Sequence, residues 1–183
     1  MNKIGIFMAN GCEEIEGLTV VDLARRAGLT IDMISITGKQ VVEGSHKISF
    51  ETDVLKEEAD FSNYDGIILP GGLPGTNHLQ EDETVQKVIT EFAKEGKLVA
   101  AICAAPKVLG QAGLLKGKKA TCHRGFEEEL IGATVLEEEV VVDGNIITSR
   151  GMGTAIPFGL EVVRYFLDGE AVDKLVHAMI YRQ

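Results

Sequence analysis

The sequence predicts an α/β fold in one domain spanning residues 1–183, with a mostly parallel sheet covered by helices on both faces and a nucleophile elbow at Cys103. Three observations predict it. Strand-like and helix-like segments alternate along the chain. Strand-like runs such as Gly66-Ile67-Ile68-Leu69 and Leu98-Val99-Ala100-Ala101-Ile102 are apolar throughout, as strands buried between two helix layers are. The helix-like runs each carry a single apolar stripe.

Lys3 to Ala9 reads as the first buried strand, and Asn10-Gly11-Cys12 turns it. Glu13 to Gly28 follows as a helix, with Val20, Leu23, Ala24 and Ala27 on one face and Gly28 as its stop. Glu13, Glu14 and Glu16 fall in its first turns, where the helix dipole favours negative charge, and on that pattern they read as a solvated helix start. Thr30 to Thr37 is a second strand. Gln40 to Asp53 is a short two-stranded surface excursion bending near Gly44, and Val54 to Ala59 is a helical turn. The third buried strand, Gly66 to Leu69, ends in Pro70-Gly71-Gly72. Paired glycines after a parallel strand let backbone N–H groups approach a ligand, as an oxyanion hole requires, although a tight turn has the same signature.

Asp82 to Glu95 is the clearest helix, with Val85, Val88, Ile89, Phe92 and Ala93 on one face. The strand Leu98 to Ile102 runs straight into Cys103, and Pro106 suits the first turn of a helix reaching Ala112. A sharp strand-to-helix corner with a nucleophile at its apex is a nucleophile elbow. The free N–H groups and dipole of the following helix favour a thiolate there, whereas an ordinary free cysteine is a small buried hydrophobe. Lys119 to Cys122 is a short strand with His123 at its end, and Phe126 to Leu130 a helical turn. Val135 to Val142 and Asn145 to Ser149 form a hairpin through Asp143-Gly144. The loop Arg150-Gly151-Met152-Gly153 leads into helices at Ala155 to Leu167 and Glu170 to Ile180.

The formal charge of −10 argues against a nucleic-acid backbone or an anionic membrane surface as the main partner, since no basic excess exists to displace counterions. No secretory signal and no membrane-length apolar run is visible, and three cysteines do not suggest a disulfide framework, so the cytoplasm is the expected compartment. The cysteines and four histidines lack zinc-like pair spacing, so neither a metal nor another cofactor is expected.

Open α/β sheets bind ligands at the carboxyl ends of their strands. Asn10 to Glu16, Pro70-Gly71-Gly72, Cys103 and His123 all lie at such ends. A histidine can move a proton for an attacking cysteine, and His123 is the candidate because His46, His78 and His177 sit in surface-like segments. Cys122, one residue earlier on a strand, points the other way into the core. A carboxyl held neutral by burial beside the thiol can stabilise a thiolate by donating a hydrogen bond. Glu13, Glu14 or Glu16 could serve, and helix geometry alone does not choose among them. The triplets Glu127-Glu128-Glu129 and Glu137-Glu138-Glu139 read as solvated faces.

These motifs resemble the ThiJ/PfpI superfamily, in particular the branch holding the parkinsonism-associated deglycase and its bacterial relatives. The resemblance runs nearly end to end. It is carried by Gly11-Cys12-Glu13-Glu14-Ile15-Glu16, Asp22 to Gly28, Leu69-Pro70-Gly71-Gly72, Ala100 to Pro106, and Thr148 to Thr154. It implies a flavodoxin-like three-layer sandwich and a homodimer. It selects Glu16 as the protonated partner of the thiol and Cys103 as nucleophile. It places His123 nearby, with Gly71, Gly72 and Ala104 around the sulfur. It also implies that Cys103 oxidises to a sulfinate held by Glu16. Protease-like members carry histidine directly after the cysteine; here Ala104 stands there, which argues against a PfpI-type peptidase. Arg124 replaces the proline that follows the histidine in close relatives, and His46 stands where the human member has an arginine.

The activity implied is a cofactor-independent, cysteine-dependent glyoxalase or deglycase, acting on methylglyoxal-type α-oxoaldehydes or their protein and nucleotide adducts. The alternative is a redox-sensing stress protein or chaperone built on an oxidisable Cys103. A third possibility, thiamine-related metabolism, comes with a label often attached to such sequences, and no phosphate-binding motif here supports it.

Overall fold

The apolar opening run forms β1 (Lys3–Met8), the strand beside which the sheet changes its direction of growth. A computed structural model describes residues 2–182. In chain order the elements after β1 are α1 (Glu14–Arg26), β2 (Thr30–Ser35), β3 (Val41–Glu43), β4 (Ser49–Glu51), β5 (Val54–Leu55) and β6 (Gly66–Leu69). Next come α2 (Gly75–Glu81), α3 (Glu83–Glu95), β7 (Leu98–Ile102), α4 (Pro106–Gln111), β8 (Lys119–Ala120) and β9 (Thr134–Val135). The chain closes with β10 (Val140–Asp143), β11 (Ile146–Ser149), α5 (Ala155–Phe166) and α6 (Gly169–Ala178).

Seven strands make the main sheet in the order β10-β11-β7-β6-β1-β2-β5, and only β10 runs antiparallel to its neighbour. The fold is therefore α/β with a mostly parallel sheet, as the alternation predicts. β1 alternates its side chains between two apolar layers. Ile4, Ile6 and Met8 face Val20, Leu23, Phe158 and Val162 of α1 and α5. Phe7 faces Leu79, Val88, Ile89 and Phe92 of α2 and α3.

Three local expectations need correction. Val54–Leu55 is a strand paired in parallel with Ile34–Ser35, not a helical turn, because it closes the exposed edge of β2. The predicted strand Val135–Val142 divides. Thr134–Val135 pairs with Lys119–Ala120, whereas Val140–Asp143 pairs with β11. Helix α2 was hidden by its sequence, since Gly75, Thr76 and Asn77 are poor helix formers and Pro74 precedes them.

β1 lies between β2 and β6, so successive connections leave it on opposite sides. A crevice opens at such a switch point, outside the carboxyl ends of the strands. The loops after β1, β6 and β7 all end there.

Candidate active site

Cys103 stands at the apex of the β7–α4 corner with φ +65°, a left-handed backbone that a non-glycine residue adopts only under constraint. Two backbone bonds impose it. The Cys103 N–H donates to Ser149 O at 3.0 Å, and the His123 N–H donates to Cys103 O at 2.8 Å. The corner is thus clamped between β11 and the segment after β8. Among the three free cysteines, Cys12 and Cys122 are buried and Cys103 is partly open.

Glu16 reaches the same point from the first turn of α1. Glu14 and Glu16 are 3% and 1% exposed, so the solvated-face reading fails for both: the β3–β4 turn meets Glu14 and the loop after β6 meets Glu16. The Gly71 N–H donates to Glu16 Oε2 at 3.0 Å, and the carboxyl is hydrogen-bonded to the Cys103 thiol. The Gly72 and Ala104 N–H groups donate toward the sulfur. The two glycines therefore divide their work, Gly71 holding the carboxyl and Gly72 the sulfur. Both positions exclude a side chain. A Cβ on Gly71 would stand 2.5 Å from Cys103 Cβ and 2.5 Å from Glu16 Oε2. Gly72 has φ +88°, and its Cβ would lie 2.3 Å from the Glu13 backbone nitrogen.

Burial dominates the electrostatics of the pair. It raises Glu16 to about 7, against the opposing hydrogen bonds from Cys103 and Gly71. Burial, and then the Glu16 charge, push the Cys103 thiol up to about 12, against the Gly72 and Ala104 N–H groups. The resting thiol is therefore not depressed as a helix dipole alone would require. α4 has only six residues, and a carboxylate sits against the sulfur. The pair as a whole retains protons at neutral pH, and one proton can reside on either partner.

β8 ends at Ala120, short of the predicted Cys122; beyond it His123 is exposed, while Cys122 packs into the core at 3% exposure. The His123 Nδ1–H donates to Arg124 O at 2.9 Å, which leaves Nε2 as the acceptor of the ring. The ring and the Glu16 carboxyl flank Gly151: from the position of a Cβ there, His123 Cδ2 is 3.4 Å away and Glu16 Oε1 3.9 Å. A cleft of about 590 Å³ opens beside this point, lined by His123, Arg124, Arg150 and the loop Gly151–Thr154. The sequence marked this loop only as a strand end, yet its place after β11 is the signal that finds it. No helix among the described residues is long and apolar enough to cross a membrane.

Comparison with known proteins is consistent with this geometry. The model of the DJ-1/PfpI family matches residues 2–165. Protein DJ-1 homolog B of Arabidopsis thaliana is 37% identical over 182 residues, covering 98% of this chain and 42% of its own length. The chain thus spans less than half of that plant relative. Deglycase PfpI of Pyrococcus furiosus is 32% identical over 164 residues, covering 88% of this chain and 98% of its own. The structure titled Toxoplasma gondii DJ-1, oxidized, superposes with a TM-score of 0.96 at 30% identity, over 100% of both chains.

Proposed function

The chain belongs to the DJ-1/PfpI family, and on that premise we propose that it is a cofactor-independent glyoxalase or deglycase acting on methylglyoxal-type α-oxoaldehydes or their adducts. The observation that carries this reading is the buried Glu16 carboxyl, raised to about 7 and hydrogen-bonded to the Cys103 thiol. A group of that pKa can both give and take a proton at neutral pH, which isomerisation between adjacent carbons requires. A deglycase name on one relative accords with it.

In the proposed mechanism the Cys103 sulfur adds to the aldehyde carbon, and its proton passes through Glu16 to the new hydroxyl, giving a hemithioacetal. A base then removes the hydrogen from that carbon while the neighbouring carbonyl is protonated. Return of a proton to the second carbon leaves a 2-hydroxy thioester. Glu16 or the free Nε2 of His123 performs these transfers. Water cleaves the thioester to the hydroxy acid and restores the thiol, so methylglyoxal plus water gives lactate with no external oxidant or reductant. Gly72 and Ala104 N–H groups hold the sulfur during attack. A glycated amine or nucleotide follows the same route with the amine as leaving group. We place the activity in the cytoplasm and in a homodimer, whose contact would cover exposed apolar side chains such as Ile15 and Met152.

Lactate formation from methylglyoxal without glutathione tests the reading. The native chain is expected to form lactate, and Cys103→Ser and Glu16→Gln to abolish it. A redox-sensing role is the second reading, favoured by Cys103 being the cysteine open to solvent and by the relative titled as oxidized. Rapid Cys103 oxidation by mild peroxide with no lactate would select it.

A further inference from the structure

We propose that Glu13, Glu14, Ser45 and His46 form a binding site for a divalent first-row transition ion, of which Zn²⁺ suits the donor set best. The site is built from two segments 32 residues apart in sequence. The β3–β4 turn folds over the start of α1 through backbone bonds. The Gly11 N–H donates to Glu43 O at 2.8 Å, and the Ser45 N–H to Cys12 O at 2.8 Å. Gly44 sets how close the turn comes, since a Cβ there would stand 2.2 Å from Glu14 Cδ and Oε1.

That approach brings His46 Nδ1 to 3.2 Å from Glu14 Oε2 and 3.4 Å from Glu13 Oε2. Ser45 Oγ lies 3.0 Å from the same nitrogen and 3.4 Å from Glu13 Oε2. The imidazole and carboxylate donors all fall within 4.8 Å of one another. A tetrahedral ion with bonds of ~2.1 Å spaces its ligand atoms by ~3.4 Å, so the contacts already measure the edges of a coordination shell.

Two further features distinguish this cluster from surface acidity. Glu14 Oε1 accepts the His46 N–H at 2.8 Å, which fixes the carboxylate and leaves Oε2 turned to the imidazole. Outer hydrogen bonds of that kind orient metal ligands. The ion pairs that Glu13 and Glu14 make among the described residues are both to His46, while the neighbouring Lys47 pairs with Glu43. Two largely covered carboxylates thus face one imidazole, and the 67% exposed His46 side chain provides an open entry path. An entering ion displaces the Nδ1 proton to solvent, so the imidazole binds neutral with its proton on Nε2. Imidazole nitrogen with carboxylate and hydroxyl oxygens suits Zn²⁺, with the remaining position left to water.

Co²⁺ titration of the metal-stripped full chain, followed by visible absorption and by Zn²⁺ competition, tests the site. One Co²⁺ per chain is expected, displaced by Zn²⁺. His46→Ala and Glu13→Gln are expected to weaken it by about tenfold or more, and His78→Ala to leave it unchanged. His46 is a surface side chain, so its variant decides the matter alone should Glu13→Gln fail to fold. No Co²⁺ binding at millimolar concentration would overturn the proposal. So would a thiolate-to-cobalt charge-transfer band with affinity unaltered in His46→Ala, which would place the ion on a cysteine.

Discussion

At the scale of single residues, Glu16 links folding to chemistry. Its carboxyl is 1% exposed and held at about 7, against an ordinary value of 4.5. Between those values the folded chain binds more protons than the unfolded chain. Its stability therefore falls as pH rises through this window, the reverse of an ordinary salt-bridged carboxylate. A shift of that size at about 1.4 kcal/mol per pH unit corresponds to about 3 kcal/mol. Glu16→Gln keeps the shape and removes the titration. Urea unfolding of both proteins from pH 5 to pH 8 is expected to show the native chain losing up to about 3 kcal/mol relative to the variant. Parallel profiles would mean that Glu16 titrates alike in both states. The sequence offered three glutamates for this role, and helix geometry could not choose among them. The choice depends on which glutamate the loop after β6 meets, and that is set by the sheet, not by the helix.

At the scale of elements, the site depends on how closely the β6–α2 loop can approach the β7 corner. Gly71 is not in the left-handed region, so its requirement is one of space alone. A methyl there would meet Cys103 Cβ, Glu16 Oε2 and, at 3.0 Å, Ile102 O. Gly71→Ala is expected to cost about 1–3 kcal/mol in chemical denaturation, as overpacking does. Turnover of the aldehyde is expected to fall more than tenfold, because the carboxyl and sulfur are forced apart. Gly169→Ala, at the start of α6 with open space around the added methyl, is the matched control in both assays. Unchanged turnover in Gly71→Ala would show that the clasp is not needed for reaction. Buried strands and amphipathic helices were legible because burial imposes a period on the residues. Gly71 and Gly72 were legible as a loop after a strand, but their different partners were not. β5 and α2 escaped for complementary reasons. Val54–Leu55 is too short to carry a period, and α2 is held by packing around Leu79 rather than by helix-forming residues. The contact of His46 with Glu14 escaped because no local pattern joins residues 32 apart.

At the scale of the molecule, the sheet separates two apolar layers that share only the backbone of its strands. One layer contains Val20, Phe158 and Val162, the other Val85, Ile89 and Phe92. Side chains of one strand alternate between them, so a cavity in one layer has no side-chain neighbour in the other. Val162 and Ile89 are both 0% exposed, on α5 and α3 respectively. Val162→Ala is expected to cost about 2 kcal/mol and Ile89→Val about 1 kcal/mol. In the double variant the losses are expected to add to within about 0.5 kcal/mol, as they do for sites without shared partners. Urea denaturation of the four proteins closes this cycle. A larger interaction would mean that strain in one layer passes through the strands to the other. Cys103 packs at the edge of the first layer, and β7 supplies side chains to both. Independent layers would therefore confine packing effects on the site to the α1–α5 side. In that case Val162→Ala, and not Ile89→Val, should alter the rate at which iodoacetamide alkylates Cys103.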